Sequence, residues 1–115
     1  MPTKPALTGL ALLLSGLLAT NAFAADKKTI KEGEQLYNQN CAVCHQADAI
    51  GKAGFAPSLT NPELLSISTD KLFEGTIRDG RPGTGMPPWS HLGRKKIKAI
   101  VAYLRSHAKL PDRSA

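Results

Sequence analysis

The sequence predicts an all-α domain of three to five helices, and three observations carry that reading. Near the C-terminus Ile97, Ile100, Val101, Leu104 and Ala108 recur at helical spacing while Lys95, Lys98 and Arg105 fall elsewhere, which is the pattern of an amphipathic helix. No stretch alternates apolar and polar residues as a half-buried strand requires. Glycine and proline gather between the periodic segments and mark them off as loops. The chain contains no internal repeat.

Taken in order, residues 1–24 read as a signal peptide. Lys4 supplies a short positive region, Ala6 to Leu18 are apolar, and Ala22-Phe23-Ala24 is a small-x-small cleavage site. An uncleaved anchor is the alternative, because no charge occurs between Pro5 and Ala25; Ser15, Gly16 and Asn21 interrupt that stretch, and a span needs about 20 apolar residues. Cleavage after Ala24 leaves residues 25–115, enough for one domain whose core is marginal unless something else is built into it. The predicted address is periplasmic. Nothing downstream reads as a membrane span.

Within residues 25–115, Asp26 to Asn40 predict a helix with Ile30, Gly33, Leu36 and Tyr37 on one side. Cys41 to Asn61 reads as loop, and a short helical turn follows Pro62, a residue suited to a first helical position. Ser68 or Thr69 then caps a helix to about Asp79, with Phe73 and Ile77 one turn apart. Gly80-Arg81-Pro82-Gly83-Thr84-Gly85-Met86-Pro87-Pro88 must be an irregular loop, because its prolines lack backbone donors. The final helix runs from about Arg94 to His107.

Removing Lys4 from the 15 Lys and Arg leaves 14 against 9 Asp and Glu, a formal charge of +5 for residues 25–115. That balance points to an acidic docking surface on a partner protein or to an anionic membrane surface. Export and the lack of a basic groove interleaved with aromatics argue against nucleic acid.

Cys41 and Cys44 are the only cysteines, too few and too close for the disulfide framework of a small exported domain. Cys41-Ala42-Val43-Cys44-His45 is instead the c-type haem attachment motif. Two thiols separated by two residues in a helical turn reach the two vinyl groups along one porphyrin edge, and His45 follows directly as an iron ligand. A closed zinc site would need four ligands, and beyond this motif residues 25–115 offer only His91, His107 and no further cysteine. A redox-active CxxC would be expected inside a βαβ pattern, which is absent.

The sixth ligand decides whether such an iron transfers electrons or binds small molecules. Met86 is the only methionine beyond the leader and lies 41 residues after His45 in the stiff Gly- and Pro-bounded loop. That setting suits axial ligation better than core filling, the usual role of methionine. His91 is the rival ligand.

On these residues the chain resembles the class I cytochromes c, and more narrowly the monohaem modules of cbb3-type oxidases and dehydrogenase-linked cytochromes. The resemblance runs from Gly33 and Tyr37 through Cys-Ala-Val-Cys-His and Gly54-Phe55-Ala56-Pro57-Ser58-Leu59. It continues through residues 76–89, which end in Gly85-Met86-Pro87-Pro88-Trp89, to Ile100-Val101-Ala102-Tyr103-Leu104. It implies a cytochrome c fold around one haem c attached through Cys41 and Cys44, with His45 and Met86 as axial ligands. It further implies that the Pro57 carbonyl accepts the His45 N–H, which fixes the ring, and that Gly33 and Tyr103 mark the crossing of the first and last helices. Arg78, Arg81 and Trp89 fall where such proteins contact haem propionates.

The implied activity is outer-sphere single-electron transfer between redox partner proteins, a dehydrogenase or an oxidase, with no catalytic acid, base or nucleophile. Rival readings are a fixed subunit of such a complex and a haem enzyme or gas sensor in which Met86 leaves the iron. One departure from the family pattern stands out. The last helix opens on Leu92-Gly93-Arg94-Lys95-Lys96-Ile97-Lys98, and positive charge at a helix N-terminus opposes its dipole. A partner-docking role is the expectation for that cluster.

Overall fold

The computed structural model describes residues 26–107, and among them five α-helices form. These are α1 (Lys27–Asn40), α2 (Ala42–His45), α3 (Pro62–Ile67), α4 (Asp70–Asp79) and α5 (Arg94–Ser106), with 3₁₀ turns at Ala47–Ala49 and Ser90–Leu92. Among the described residues no strand forms beyond one antiparallel bridge between Lys52 and Ala56. The all-α expectation holds. The leader, its cleavage after Ala24, and Ala108 lie outside the described residues. No described helix is long and apolar enough to cross a membrane.

Local chemistry sets the helix ends. The Asp26 carboxylate accepts the Thr29 amide at 2.7 Å and starts α1, Asn61 caps α3 ahead of Pro62, and Thr69 accepts the Leu72 amide at 3.0 Å to start α4. Gly80, with φ +70°, ends α4 in a conformation that side-chain-bearing residues avoid. The last helix lacks such help: Gly93 offers no side-chain cap, and the first turn carries the exposed cations Arg94, Lys95 and Lys96.

The core is built where α1 crosses α5. Gly33 makes the crossing close, since a Cβ there would fall 1.9 Å from the Ala99 carbonyl oxygen and 3.0 Å from the Tyr103 Cβ. The main partner of Gly33 is therefore the Ala99 backbone, with Tyr103 beside it. One turn on, the Tyr37 ring packs against Tyr103 with centroids 5.3 Å apart. Tyr37, Ile100 and Leu104 are the largest fully enclosed side chains.

Two features depart from expectation. The segment from Cys41 to Asn61 is not wholly loop, because Cys41 ends α1 and begins α2, with the His45 amide bonded back to the Cys41 carbonyl at 2.9 Å. After it, Gln46, Asp48 and Ala49 hold φ values of 68°, 55° and 58°, a left-handed conformation costly for residues other than glycine. The second departure is Arg105, which lies off the apolar stripe yet turns inward. Its guanidinium donates to the Asp70 carboxylate at 2.6 Å and to the Leu65 and Ser68 carbonyls, and sits 5.1 Å from the centre of the Phe73 ring.

Candidate haem site

The junction of α1 and α2 presents both thiols. Cys41 and Cys44 are free and half-buried, one helical turn apart, with the Cys44 amide 3.2 Å from the Cys41 carbonyl. Burial, reinforced by the neighbouring Cys44 thiol, pushes the Cys41 thiol up to about 11, so it stays neutral at physiological pH.

His45 follows in the same turn, and its Nδ1 lies 3.1 Å from the Pro57 carbonyl oxygen. A carbonyl can only accept, so Nδ1 is a protonated nitrogen and Nε2 is the one left to face a metal. That is the tautomer a metal ligand needs. The Pro57 carbonyl is in turn held in place, because the Lys52 and Ala56 backbones bond to each other at 2.8 and 2.9 Å and the Leu59 amide reaches the Ala49 carbonyl at 2.9 Å. The Tyr37 hydroxyl donates to the Gln46 carbonyl at 2.6 Å and pins the strained residue that follows His45. Burial raises the Tyr37 phenol above its ordinary range. The pinning role was not read from the sequence, although the four-residue step from Gly33 to Tyr37 already places both residues on the buried face of α1.

Met86 sits in a loop that is stitched to α4. The Trp89 amide lies 3.0 and 3.2 Å from the Ile77 and Arg78 carbonyls, the Arg81 amide donates to the Met86 carbonyl at 3.2 Å, and the Met86 amide donates to the Thr84 hydroxyl at 3.2 Å. The Met86 side chain is half-buried against the main apolar cluster, which Cys41, Leu59 and Trp89 also touch. Cys41, Met86 and Trp89 thus gather on one core. Arg78 and Arg81 do not join them: both are exposed, and the Arg78 guanidinium makes two bonds of 2.9 Å to the neighbouring Asp79 carboxylate. His91 is exposed at the foot of the loop, with its ring centre 5.4 Å from that of Trp89.

The donor set fits a haem. It comprises two thiols one turn apart, an imidazole whose Nε2 is available, and a thioether on a braced loop. Exposed apolar side chains occur within the motif at Val43 and beyond it at Ile50 and Phe55, and a cleft of about 480 Å³ runs along residues 50–58 beside Pro57. Among the described residues no three His, Cys, Asp or Glu side chains converge on a point.

Fold and motif together define a c-type cytochrome of class I. A family model described as cytochrome c oxidase, cbb3-type, subunit III, matches residues 28–104, and the chain belongs to that family. The CcoP subunit of the cbb3-type oxidase of Rubrivivax gelatinosus is 36% identical over 91 residues, covering 78% of this chain and 30% of that protein. The chain thus spans less than a third of the length of its CcoP relatives. Cytochrome c55X of Stutzerimonas stutzeri is 38% identical over 87 residues and is covered to 73%, as is this chain. Among solved structures, the KustC0563 c-type cytochrome superposes with a TM-score of 0.60 at 28% identity, covering 67% of this chain and 98% of that one.

Proposed function

We propose that this chain is an exported, single-haem electron carrier that exchanges one electron at a time with redox partner proteins. The observation that carries the proposal is the bond from His45 Nδ1 to the Pro57 carbonyl beside two free thiols. When bound, haem c supplies a one-electron iron couple whose potential follows its axial ligands and burial. Cys41 and Cys44 would tether it, His45 Nε2 and the Met86 thioether would hold the iron, and Pro57 would fix the imidazole plane. Arg78, Arg81 and Trp89 serve the propionates; for Arg78 this requires release from Asp79. With His45 and Met86 both committed to the iron, no protein position would remain for a substrate, which supports outer-sphere transfer rather than catalysis.

Residues 1–24 direct export to the periplasm and are removed. The partners are a dehydrogenase or oxidase with an acidic docking surface that meets the exposed cations of α5; a membrane surface is a secondary contact, and nucleic acid is not a partner. In denaturing electrophoresis with peroxidase-type staining, haem colour should run with the polypeptide and fall sharply in Cys41→Ala and Cys44→Ala. Met86→Ala should abolish the near-infrared sulfur-to-iron band of the oxidised protein and lower its potential. Colour that survives both cysteine substitutions, or a band lost in His91→Ala and kept in Met86→Ala, overturns the assignment.

A further inference from the structure

We propose that Arg105 is a positioning residue for the sixth iron ligand, acting through α4; this rests on the reading of Met86 as that ligand. Arg105 stands in the last turn of α5, while Met86 belongs to the loop at the opposite end of α4 from the Arg105 contacts.

Three observations join them. The first is how fully the guanidinium is used: it reaches the Asp70 carboxylate, the Leu65 and Ser68 carbonyls and the face of Phe73, with the side chain 27% exposed. The carbonyls of Leu65 and Ser68 belong to the C-terminal end of α3, a six-residue helix with no basic residue in its own last turn. Such carbonyls need donors from elsewhere. Asp70 opens α4, so one planar cation ties the α3–α4 junction to α5.

The second is how little else holds that end of α4. Ile77 is the only buried residue of α4. Phe73 lies half-buried beneath Arg105, and Leu72 is 58% exposed. Seating of α4 on the core therefore depends on Ile77 near its C-terminus and, toward its N-terminus, on Phe73 and the Arg105 contacts.

The third is the join between α4 and Met86. The Trp89 amide closes the loop onto Ile77 and Arg78, and the Arg81 amide meets the Met86 carbonyl. Gly80 lies so close that a Cβ there would sit 2.8 Å from the Met86 carbonyl oxygen and from Pro87 and Pro88 backbone atoms. Helix and loop move as one body. Released at its N-terminus, α4 pivots about Ile77, and the pivot carries Met86 off its position.

The test uses the oxidised holoprotein with imidazole as an external ligand that competes with the sixth ligand. Arg105→Met keeps much of the apolar stem and removes every donor. It should raise imidazole affinity on the order of tenfold, within the usual range for coupling between two sites, and weaken the near-infrared band at a given imidazole concentration. Arg105→Lys, a single point charge that cannot bridge three acceptors, should move the same way by less.

The deciding measurement repeats Arg105→Met in a Met86→Ala background. If Arg105 acts through Met86, imidazole affinity there is unchanged by the second substitution. An equal rise in both backgrounds means a general loosening of the pocket and overturns the proposal, as does no rise in either. Should Arg105→Met fail to retain haem, Asp70→Asn and Arg105→Lys are read in the same two backgrounds by the same criteria. A Met86→Ala variant that binds imidazole no better than the parent protein instead refutes the axial reading of Met86, a separate outcome.

Discussion

Replacing Gly33 by alanine puts a methyl carbon where the backbone of another helix already runs. The new Cβ would lie 1.9 Å from the Ala99 oxygen and 2.5 Å from its carbonyl carbon, whereas non-bonded carbon contacts settle near 3.5–4.0 Å. Neither clashing atom is a side-chain tip that can swing away. Relief requires α1 and α5 to separate by about 1 Å or more, which loosens the stacking of Tyr37 on Tyr103 and the enclosure of Ile100.

Overpacking of this kind costs typically about 1–3 kcal/mol, and a backbone clash belongs at the upper end. Alanine returns about 1 kcal/mol of helix propensity, so the net loss is about 2 kcal/mol. For a domain of this size each kcal/mol shifts Tm by about 4–8 °C, which gives a fall of about 8–16 °C. Thermal unfolding of the oxidised holoprotein by far-ultraviolet circular dichroism measures it. Gly75→Ala is the control, since its Cβ would meet only the Arg78 side chain, at 3.7 Å, and it should gain stability from propensity alone. A Gly33→Ala protein as stable as Gly75→Ala would refute the close-crossing argument.

Tyr37→Phe removes the donor to the Gln46 carbonyl and should cost about 1–2 kcal/mol in guanidinium unfolding. Because burial raises the Tyr37 phenol above its unfolded value, the tyrosine's contribution is complete below about pH 10 and is lost as pH climbs through the folded value; the phenylalanine variant should lose less stability in that alkaline range. Lys95→Glu together with Lys96→Glu should flatten or invert the fall of the partner electron-transfer rate with ionic strength, since steering by exposed charge fades as the Debye length shrinks to about 10 Å at 0.1 M. The haem spectrum and potential should stay put while Tm rises slightly, because acid suits a helix N-terminus. A double variant as fast as the parent at low salt means that the cluster does not steer.

The sequence made some of this legible and not the rest, for reasons that differ by residue. Asp26, Asn61-Pro62 and Thr69 act within three residues of themselves, so their chemistry announces where α1, α3 and α4 begin. Cys41, Cys44 and His45 are equally local. The motif chemistry implies the single turn of α2 although four residues cannot display a helical period, whereas Gln46, Asp48 and Ala49 give no sign of positive φ because their conformation is held from outside by contacts such as the Tyr37 hydroxyl. Arg105 was placed correctly off the apolar stripe, yet periodicity reports which face a residue occupies and not what meets it there. Its hydrogen-bond partners lie 35 to 40 positions away.

The strained turn after His45 also has a timetable. Tyr37, which steadies that turn, is itself enclosed by Tyr103 and its neighbours on α5, so the turn has no fixed shape until α5 exists. On a chain made from its N-terminus, 50 positions separate Cys44 from Arg94. At about 5–20 residues per second, α5 begins to emerge roughly 3–10 s after the second thiol. Throughout that interval the turn lacks the α5 contacts that enclose Tyr37. The C-terminal helix is therefore the last element to close over the turn that follows the two thiols.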